Sequence, residues 1–410
     1  MHVLITAHDL YPDPGSGGTG RYVYETARRL VDRGHRVSVL TRRRGDVPRR
    51  DRIEGIDVYR YDVTIAGETA PSIAARLPDA LASVADAVDA LGASRGPGSA
   101  EVDLLSFQGP VTSLLAHLVT DGGVPRTCTF HSPWPTEYRI RADHESALAP
   151  CRRRLNARIR RAVEARVLAA CDGVVTLSDF MADELRRVYG ADASPTVVPG
   201  GVDTDRYSPD AGSFEAMDGD GDGVSFLTVR RLSPRMGHDL LLEAFARVRD
   251  RHPDASLYVA GDGPLREELE RSAARLGVGD ATTFLGYVPD ADLPAVYASA
   301  DVFVLPTRRL EGFGLATLEA LASGTPAVGT AVGGTVEILA DYSNESAVPA
   351  DLLVPAPTVD GLATAMVEWA ALPPDVRADA GRACRRRTEE RFTWERTVAA
   401  LEAEYESLVG

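Results

Sequence analysis

The stretch EGFGLATLEALASGTPAVGTAVGGTVE, residues 311–337, decides how the rest of the chain is read. Just before it, DVFVLPT (301–307) is a short apolar, β-rich run, the pattern of a buried parallel strand. A turn punctuated by Gly312 and Gly314 opens a helix predicted over 315–323, which Gly324 and Pro326 end. A second short strand, 327–330, leads to Gly333-Gly334. Strand, glycine turn and helix N-terminus in that order present free backbone N–H groups to an anion. Glu311 lies before the helix and Glu319 inside it, roughly 10 Å apart along the axis at ~1.5 Å per residue. That is wider than the roughly 5 Å between the carboxyls of a retaining glycosidase. It suits one ligand with hydroxyls at both ends and a diphosphate between, which describes a nucleotide sugar. The plainer alternative stays open: any parallel α/β protein ends strands in glycine turns, and a lone Glu319 can be a solvated helix residue.

The chain is long enough for two domains with ample cores, at 410 residues. No run reaches the roughly eighteen apolar residues of a transmembrane helix, and MHVLITAHDLYP reads as a first strand rather than a leader. Four scattered cysteines form no CxxC pair, which argues against zinc and a disulfide framework and for a reducing cytoplasm. Net charge is −15, and all 45 basic residues are arginine. Without lysine there is no Walker A loop, no pyridoxal phosphate Schiff base and no S-x-x-K nucleophile site. High Asp and Glu without Lys points to a GC-rich genome and a halophile-like surface kept soluble in salt by its charge. Nucleic acid is not an expected partner for so acidic a chain.

Taken in order, 3–6 is a strand, and the loop HDLYPDPGSGGTG leads to a helix over 21–33 and a strand over 35–41. Gly15, Gly17 and Gly20 match G-x-G-x-x-G, so an NADP-dependent Rossmann oxidoreductase is a rival. Against it, the first glycine stands some eight residues past the strand, and the second strand ends in Thr41-Arg42-Arg43-Arg44 with no acid for a ribose. Those arginines could instead take the NADP phosphate. Strands follow at 56–63, 102–107 and 126–130, an Ala-rich helix at 71–91 and a Gly/Ser/Pro loop at 94–100. His131 follows the 126–130 strand, at the kind of strand end where open α/β sheets bind ligands. The basic helix CRRRLNARIRRAVEARVLAA (151–170) repeats Leu155, Ile159, Val163 and Val167 along one face. A core-packed surface helix is the first reading, and a dock for an anionic membrane the second. Residues 173–178 form the last strand of this half, with Ser178 as the cap of the next helix. The acidic run 218–222 imitates a calcium loop, but Val229 holds the twelfth place, where a glutamate belongs. It reads as a solvated linker, and Asp290 and Asp292 read as helix-start acids. The second half alternates strands at 224–232, 255–260 and 282–288 with helices at 239–251 and 265–276, and a last helix spans 394–408.

Glu311 and Glu319 with seven residues between them, followed by Gly333, Gly334 and Glu337, resemble the signature of retaining glycosyltransferase family 4, the group 1 glycosyltransferases. Segments over roughly 1–25 and 125–340 resemble their family counterparts in order. The resemblance implies the α/β GT-B fold, two Rossmann-like parallel-sheet domains facing across a cleft. Residues 1–198 would bind the acceptor, 199–223 would link, 224–393 would bind the nucleotide sugar, and 394–410 would pack back on the first domain. Implied donor-binding residues are Gly17, Gly18, Arg231, Arg235, Gly263, Val288, Glu311, Gly312, Phe313, Gly314, Leu315 and Glu319. Implied catalytic groups are His131, Glu311, Arg231 and Arg235, with no metal and no cofactor. Glu319 would hold the ribose, Glu311 and the backbone of 312–315 the sugar, and His131 the sugar from the other domain. One departure stands out. The family's phosphate loop runs Arg-Leu-x-x-x-Lys-Gly, and here Met236 replaces the lysine. Arg235, one residue earlier, is the expected substitute cation, unless Arg231 works alone or with Arg230.

The expected activity is metal-independent transfer of a hexose from a nucleotide diphosphate sugar, with retention, to a glycan, lipid-linked or small-molecule acceptor. The expected location is cytoplasmic, with peripheral contact at the inner membrane face through 151–170. A sugar-nucleotide epimerase on the same fold and a non-catalytic nucleotide-sugar-binding protein are the alternatives.

Overall fold

The computed structural model describes residues 1–62, 70–91, 102–120, 122–145, 150–190, 194–217, 223–342, 345 and 347–410. The loop at 94–100 and the acidic run 218–222 lie outside the described residues. The chain divides into two compact units. Unit 1 holds Met1–Ala142, Ser146–Pro199 and Trp394–Gly410; unit 2 holds Gly200–Thr393 with Asp143–Glu145.

Unit 1 runs β1 (His2–Thr6), α1 (Gly18–Asp32), β2 (Arg36–Arg42), β3 (Arg50–Ile53), β4 (Ile56–Tyr61), α2 (Ala70–Ala90), β5 (Leu104–Phe107), α3 (Pro110–Val119), β6 (Arg126–Phe130), α4 (Trp134–Glu145), α5 (Pro150–Leu168), β7 (Gly173–Thr176), α6 (Asp179–Tyr189) and β8 (Thr196–Val197). Unit 2 follows with β9 (Ser225–Val229), α7 (His238–Arg249), β10 (Ser256–Ala260), α8 (Arg266–Arg275), β11 (Thr282–Gly286), α9 (Leu293–Ala298), β12 (Val302–Leu305), α10 (Leu315–Ala322), β13 (Ala327–Thr330), α11 (Thr335–Ala340), β14 (Leu353–Val354), α12 (Val359–Ala371) and α13 (Pro374–Arg391). The last helix, α14 (Trp394–Val409), belongs to unit 1.

The unit 1 sheet has the order β3-β4-β2-β1-β5-β6-β7-β8 and is parallel except for β3, which pairs antiparallel with β4. Strand order reverses between β1 and β5, the point where open α/β sheets form ligand crevices. Alternate residues of the central strands serve opposite faces. Val3, Ile5, Val37 and Val39 pack with α1 and with Val398, Leu401 and Tyr405 of α14. Leu4, Leu40, Leu105 and Phe107 pack with Ala80, Val84 and Val88 of α2 and with α3. A polar seam also fixes α14, through Tyr405 Oη against Ser106 Oγ at 2.8 Å and Glu402 against Arg33 and His35.

Unit 2 has the all-parallel order β11-β10-β9-β12-β13-β14. Its central strand β12 is fully buried from Val302 to Leu305, as a strand covered on both faces requires.

Two expectations need correction. Leu155 and Ile159 do not reach the core: they are 58% and 45% exposed, and only the far half of α5 packs inward, through Val167 and Glu164. A spacing of four places side chains on one helix face but does not say how far along that face the neighbours extend. Asp290 does more than favour a helix start: its carboxylate pairs with Arg206 at 2.5 Å. Ser178 does cap α6, accepting the Met181 N–H at 3.1 Å.

Candidate active site

In unit 2, the C-terminal strand ends gather the residues singled out by the sequence. Glu311 follows β12 and is 8% exposed. Its Oε2 lies 2.6 Å from Arg230 Nη2 and accepts the Thr307 hydroxyl at 3.2 Å. The Gly333-Gly334 turn closes over the same loop. Gly333 has φ +65, and a Cβ there would stand 2.0 Å from the Glu311 carbonyl oxygen, which accepts the Gly334 N–H at 2.9 Å. Only glycine tolerates that conformation and that approach. Gly314 (φ 108) then starts α10, with no side-chain cap on the helix N-terminus. Phe313 is 5% exposed, and its ring packs against Phe392. Glu319, on α10, accepts a hydrogen bond from Tyr297 Oη at 2.8 Å. Burial and that carboxylate push the Tyr297 phenol well above its ordinary range, so it stays a donor.

The three arginines after β9 have different surroundings. Arg231 is exposed, and no ion pair or side-chain hydrogen bond engages it among the described residues. Arg235 is half-buried and donates from Nη1 to the Leu310 carbonyl at 2.6 Å, bracing the residue before Glu311. Arg230 is held by Glu311. Met236 is buried at 7% and faces the interior. Gly263 packs on the backbone of Leu232, and Val288 is buried next to Tyr287, which is 77% exposed. His238, the first residue of α7, is 2% exposed, and neither ring nitrogen has a hydrogen-bond partner. Burial, then the Arg230 charge, lowers its pKa to about 3.

In unit 1, a pocket of about 340 Å³ opens at the reversal between β1 and β5. It is lined by His8, Asp9, Gly17, Gly18, Gln108 and His131, with Trp134, Glu137, Arg141 and Glu164 toward α4 and α5. Gly17 is the N-cap of α1, and its N–H is held at 3.3 Å by Asp9 Oδ2, a carboxylate standing where an anion would sit. Gln108 donates its amide to Ser106 and Thr129 at 3.1 and 2.9 Å, so its Oε1 accepts from His131 Nε2–H at 2.8 Å. Nδ1 is then the acceptor of the ring, and burial lowers the His131 pKa to about 4, which keeps the ring neutral. Glu164 accepts the Trp134 N–H at 2.9 Å and the Tyr189 hydroxyl; burial still raises its pKa to about 7. A larger hollow of about 560 Å³ adjoins Val348–Leu353, at the N-terminal end of β14 and so on the opposite rim of its sheet from the strand ends above.

Thus Arg231, Arg235, Glu311, Gly312, Phe313, Gly314, Leu315 and Glu319 share one region of unit 2, while Gly17, Gly18 and His131 share one pocket of unit 1. Tyr297 and Gln108 carry no local sequence signal, because their partners Glu319, Thr129 and His131 lie more than twenty residues away, and Thr307 is an ordinary polar residue at a strand end. Arg230 had a visible signal, a second arginine at the end of a strand.

Sequence models of two families match the chain: Glycosyltransferase Family 4 over residues 16–206 and Glycosyl transferases group 1 over residues 216–387. It is 32% identical over 403 residues to the D-inositol 3-phosphate glycosyltransferase of Saccharomonospora viridis, covering 94% of this chain and 88% of that protein. The chain belongs to the group 1 glycosyltransferases of family 4 type. It is also 35% identical over 211 residues to the GDP-mannose-dependent alpha-(1-6)-phosphatidylinositol monomannoside mannosyltransferase of Mycolicibacterium smegmatis. That match covers 49% of this chain and spans 54% of the relative. Sucrose-phosphate synthase from Thermosynechococcus elongatus superposes with a TM-score of 0.79 at 22% identity, over 99% of this chain and 98% of that one. The fold of this glycosyltransferase is GT-B. Among the described residues no group of His, Cys, Asp and Glu is arranged to hold a metal ion, and no helix is long and apolar enough to cross a membrane.

Proposed function

We propose that this glycosyltransferase moves a hexosyl group from a nucleoside diphosphate sugar to a hydroxyl of a glycan, lipid-linked or small-molecule acceptor, with retention and without a metal ion. The observation that carries the reading is the buried Arg230–Glu311 pair, set beside the uncommitted Arg231 and the uncapped start of α10. The bond from the anomeric carbon to the diphosphate breaks, and its electron pair stays on the diphosphate. The acceptor oxygen bonds to that carbon on the same face and passes its proton to an oxygen of the departing diphosphate. Negative charge grows on the leaving group, and preorganised guanidinium and backbone N–H groups stabilise it. In this role Arg231 meets the diphosphate, Arg235 steadies the 310–314 loop and contributes its remaining donors, and Glu319 takes the ribose hydroxyls. Neutral His131 offers Nδ1 to a hydroxyl of a ligand in the unit 1 pocket. A relative that uses GDP-mannose makes that donor the first to try, with UDP- and ADP-sugars beside it. Product anomers read by NMR test the reaction: an α product from an α donor, unaffected by EDTA, is expected. An inverted product, metal dependence, or isomerised donor without acceptor would overturn it.

The exposed half of α5 supports a second part of the proposal, peripheral contact with an anionic membrane. Leu155 and Ile159 stand in solvent beside Arg152, Arg154 and Arg158, a basic and apolar combination that fits a headgroup layer. Cosedimentation with phosphatidylglycerol vesicles, lost in Leu155→Ser/Ile159→Ser, is expected; equal retention of the variant would refute the contact.

A further inference from the structure

The cysteines are scattered in sequence, yet the fold brings two of them together. Cys128 lies in the middle of β6, and Cys171 follows α5 in the turn before β7. Side chains alternate along a strand. Thr129 turns to one face of β6, where Gln108 donates to its hydroxyl, and Cys128 turns to the other, into the apolar cluster that holds Val167 of α5. Cys171 packs against the same cluster, its Sγ donating to the Val167 carbonyl at 3.2 Å. The two thiols meet there. Hydrogen bonding to the Cys171 thiol first, and burial second, push the Cys128 thiol well above its ordinary range. The remaining cysteines stand elsewhere: Cys384 is buried in α13, and Cys151 is exposed at the start of α5.

The two members of the pair are unequal. Cys128 is buried, whereas Cys171 is half-buried and reached by solvent. A firmly held proton makes Cys128 a poor first nucleophile, because the thiolate rather than the thiol attacks. Access favours Cys171 as the first to be oxidised, with Cys128 against it as the resolving thiol. Position gives the pair a consequence. Cys128, Val167 and Leu168 line the unit 1 pocket. The stretch between the two cysteines contains His131, α4 and α5, so a bond between them closes a loop that carries one wall of that pocket.

We propose that Cys128 and Cys171 form a reversible oxidation site, at which hydrogen peroxide converts the dithiol to a disulfide that clamps the His131 side of the unit 1 pocket. The Cys171 sulfur attacks the O–O bond and keeps one oxygen as a sulfenic acid, and the other oxygen leaves as water. The Cys128 sulfur then displaces the hydroxyl from the Cys171 sulfur, and its proton leaves with that hydroxyl as a second water. The thiols lose an electron pair and the peroxide gains it. A small dithiol reverses the step by exchange. The site involves neither donor nor acceptor, so it stands apart from the transfer reaction.

Peptide mapping tests it. The wild type and a Cys151→Ser protein, which lacks the exposed thiol, are treated with a low excess of hydrogen peroxide and digested with trypsin without reductant. Residues 127–139 and 167–186, each bounded by arginines, should appear as one joined species, lighter than their sum by a pair of hydrogens. Dithiothreitol should release both. In Cys128→Ser, dimedone should trap a sulfenic acid on Cys171; in Cys171→Ser, it should leave Cys128 unlabelled. Amide exchange over 131–142 should be slower in the disulfide form than in the dithiol. The cross-link in the wild type needs no variant, so it decides the matter even where Cys128→Ser fails to fold. Oxidised protein in which Cys128 and Cys171 stay unlinked, or are joined to another cysteine, would overturn the proposal. So would dimedone labelling of Cys128 in Cys171→Ser, or equal exchange over 131–142 in the two forms.

Discussion

Arg230 Nη2 lies 2.6 Å from Glu311 Oε2, and both side chains are close to nine-tenths buried. Arg230 stands at the end of β9 and Glu311 after β12, so the pair ties neighbouring strand ends together at the centre of the unit 2 sheet. Breaking a buried pair leaves one charge uncompensated, whereas removing both partners does not. Arg230→Met and Glu311→Gln should each lose about 3–5 kcal/mol of stability, and the double variant less than either single one. Urea unfolding of the four proteins measures this. A double variant that loses the sum of the two would mean that the residues do not act as a pair.

The Tyr297–Glu319 bond makes a prediction about binding rather than stability. Tyr297→Phe frees one carboxylate oxygen of Glu319, and Glu319→Ala removes the carboxylate, so both should raise KM for the donor with little change in kcat. Glu311→Ala should lower kcat instead. If Glu311→Ala raised KM alone, its assignment to the sugar in the transition state would be wrong.

The loop after β9 gives Arg231, Arg235 and Met236 three different surroundings. Arg231→Ala, and Arg235→Ala through its remaining donors and the Leu310 carbonyl, should each cost roughly 10²-fold in kcat/KM, the scale of one preorganised donor. Met236→Ala, at a buried site, should cost about 2–5 kcal/mol of stability with little loss of kcat/KM. Near-normal kcat/KM in Arg235→Ala would leave Arg231 and Arg230 as the cations of the site.

How much of this was legible follows from where each signal lies. Buried parallel strands such as Val302–Leu305 announce themselves as short apolar runs, because both faces are covered. The antiparallel edge strand β3 reads Arg-Asp-Arg-Ile and carries no such signal, since an edge tolerates charge. The Gly333-Gly334 turn was legible as a turn, but not its cause, the approach of the Glu311 carbonyl from another segment. Tyr297 and Glu319 belong to different helices, and no local periodicity connects them. Leu155 and Ile159 show the converse failure, a regular pattern whose burial ends halfway along the helix.

His238 predicts acid sensitivity. Its folded pKa of about 3 lies below the ordinary value near 6.5, so the unfolded state binds the extra proton. The stability it contributes is complete above pH 6.5 and falls as pH drops toward 3, by about 1.4 kcal/mol per pH unit. Glu164, raised to about 7, has the opposite sign: as pH falls through 7 toward its ordinary value, the folded form gains. The comparison is therefore made between proteins, wild type against His238→Leu, by urea unfolding at pH 7 and pH 5. The variant should lose less than the wild type, and equal losses would contradict the assignment.

Net charge of −15 with no lysine predicts a salt requirement. Self-repulsion among carboxylates weakens as salt screens it, so the melting temperature and activity should rise from low ionic strength to molar KCl. Full activity and an unchanged melting temperature at low salt would exclude it.

The central claim is that unit 2 recognises a nucleoside diphosphate sugar through Glu319 and Arg231. Isothermal titration with GDP-mannose, UDP-glucose and ADP-glucose tests it most directly, on the wild type, Glu319→Ala and Arg231→Ala. Saturable binding of at least one donor is expected, weakened about tenfold or more in each variant, on the scale of a charged hydrogen bond. Binding that is equally tight in all three proteins, or absent for every nucleotide sugar, would contradict it.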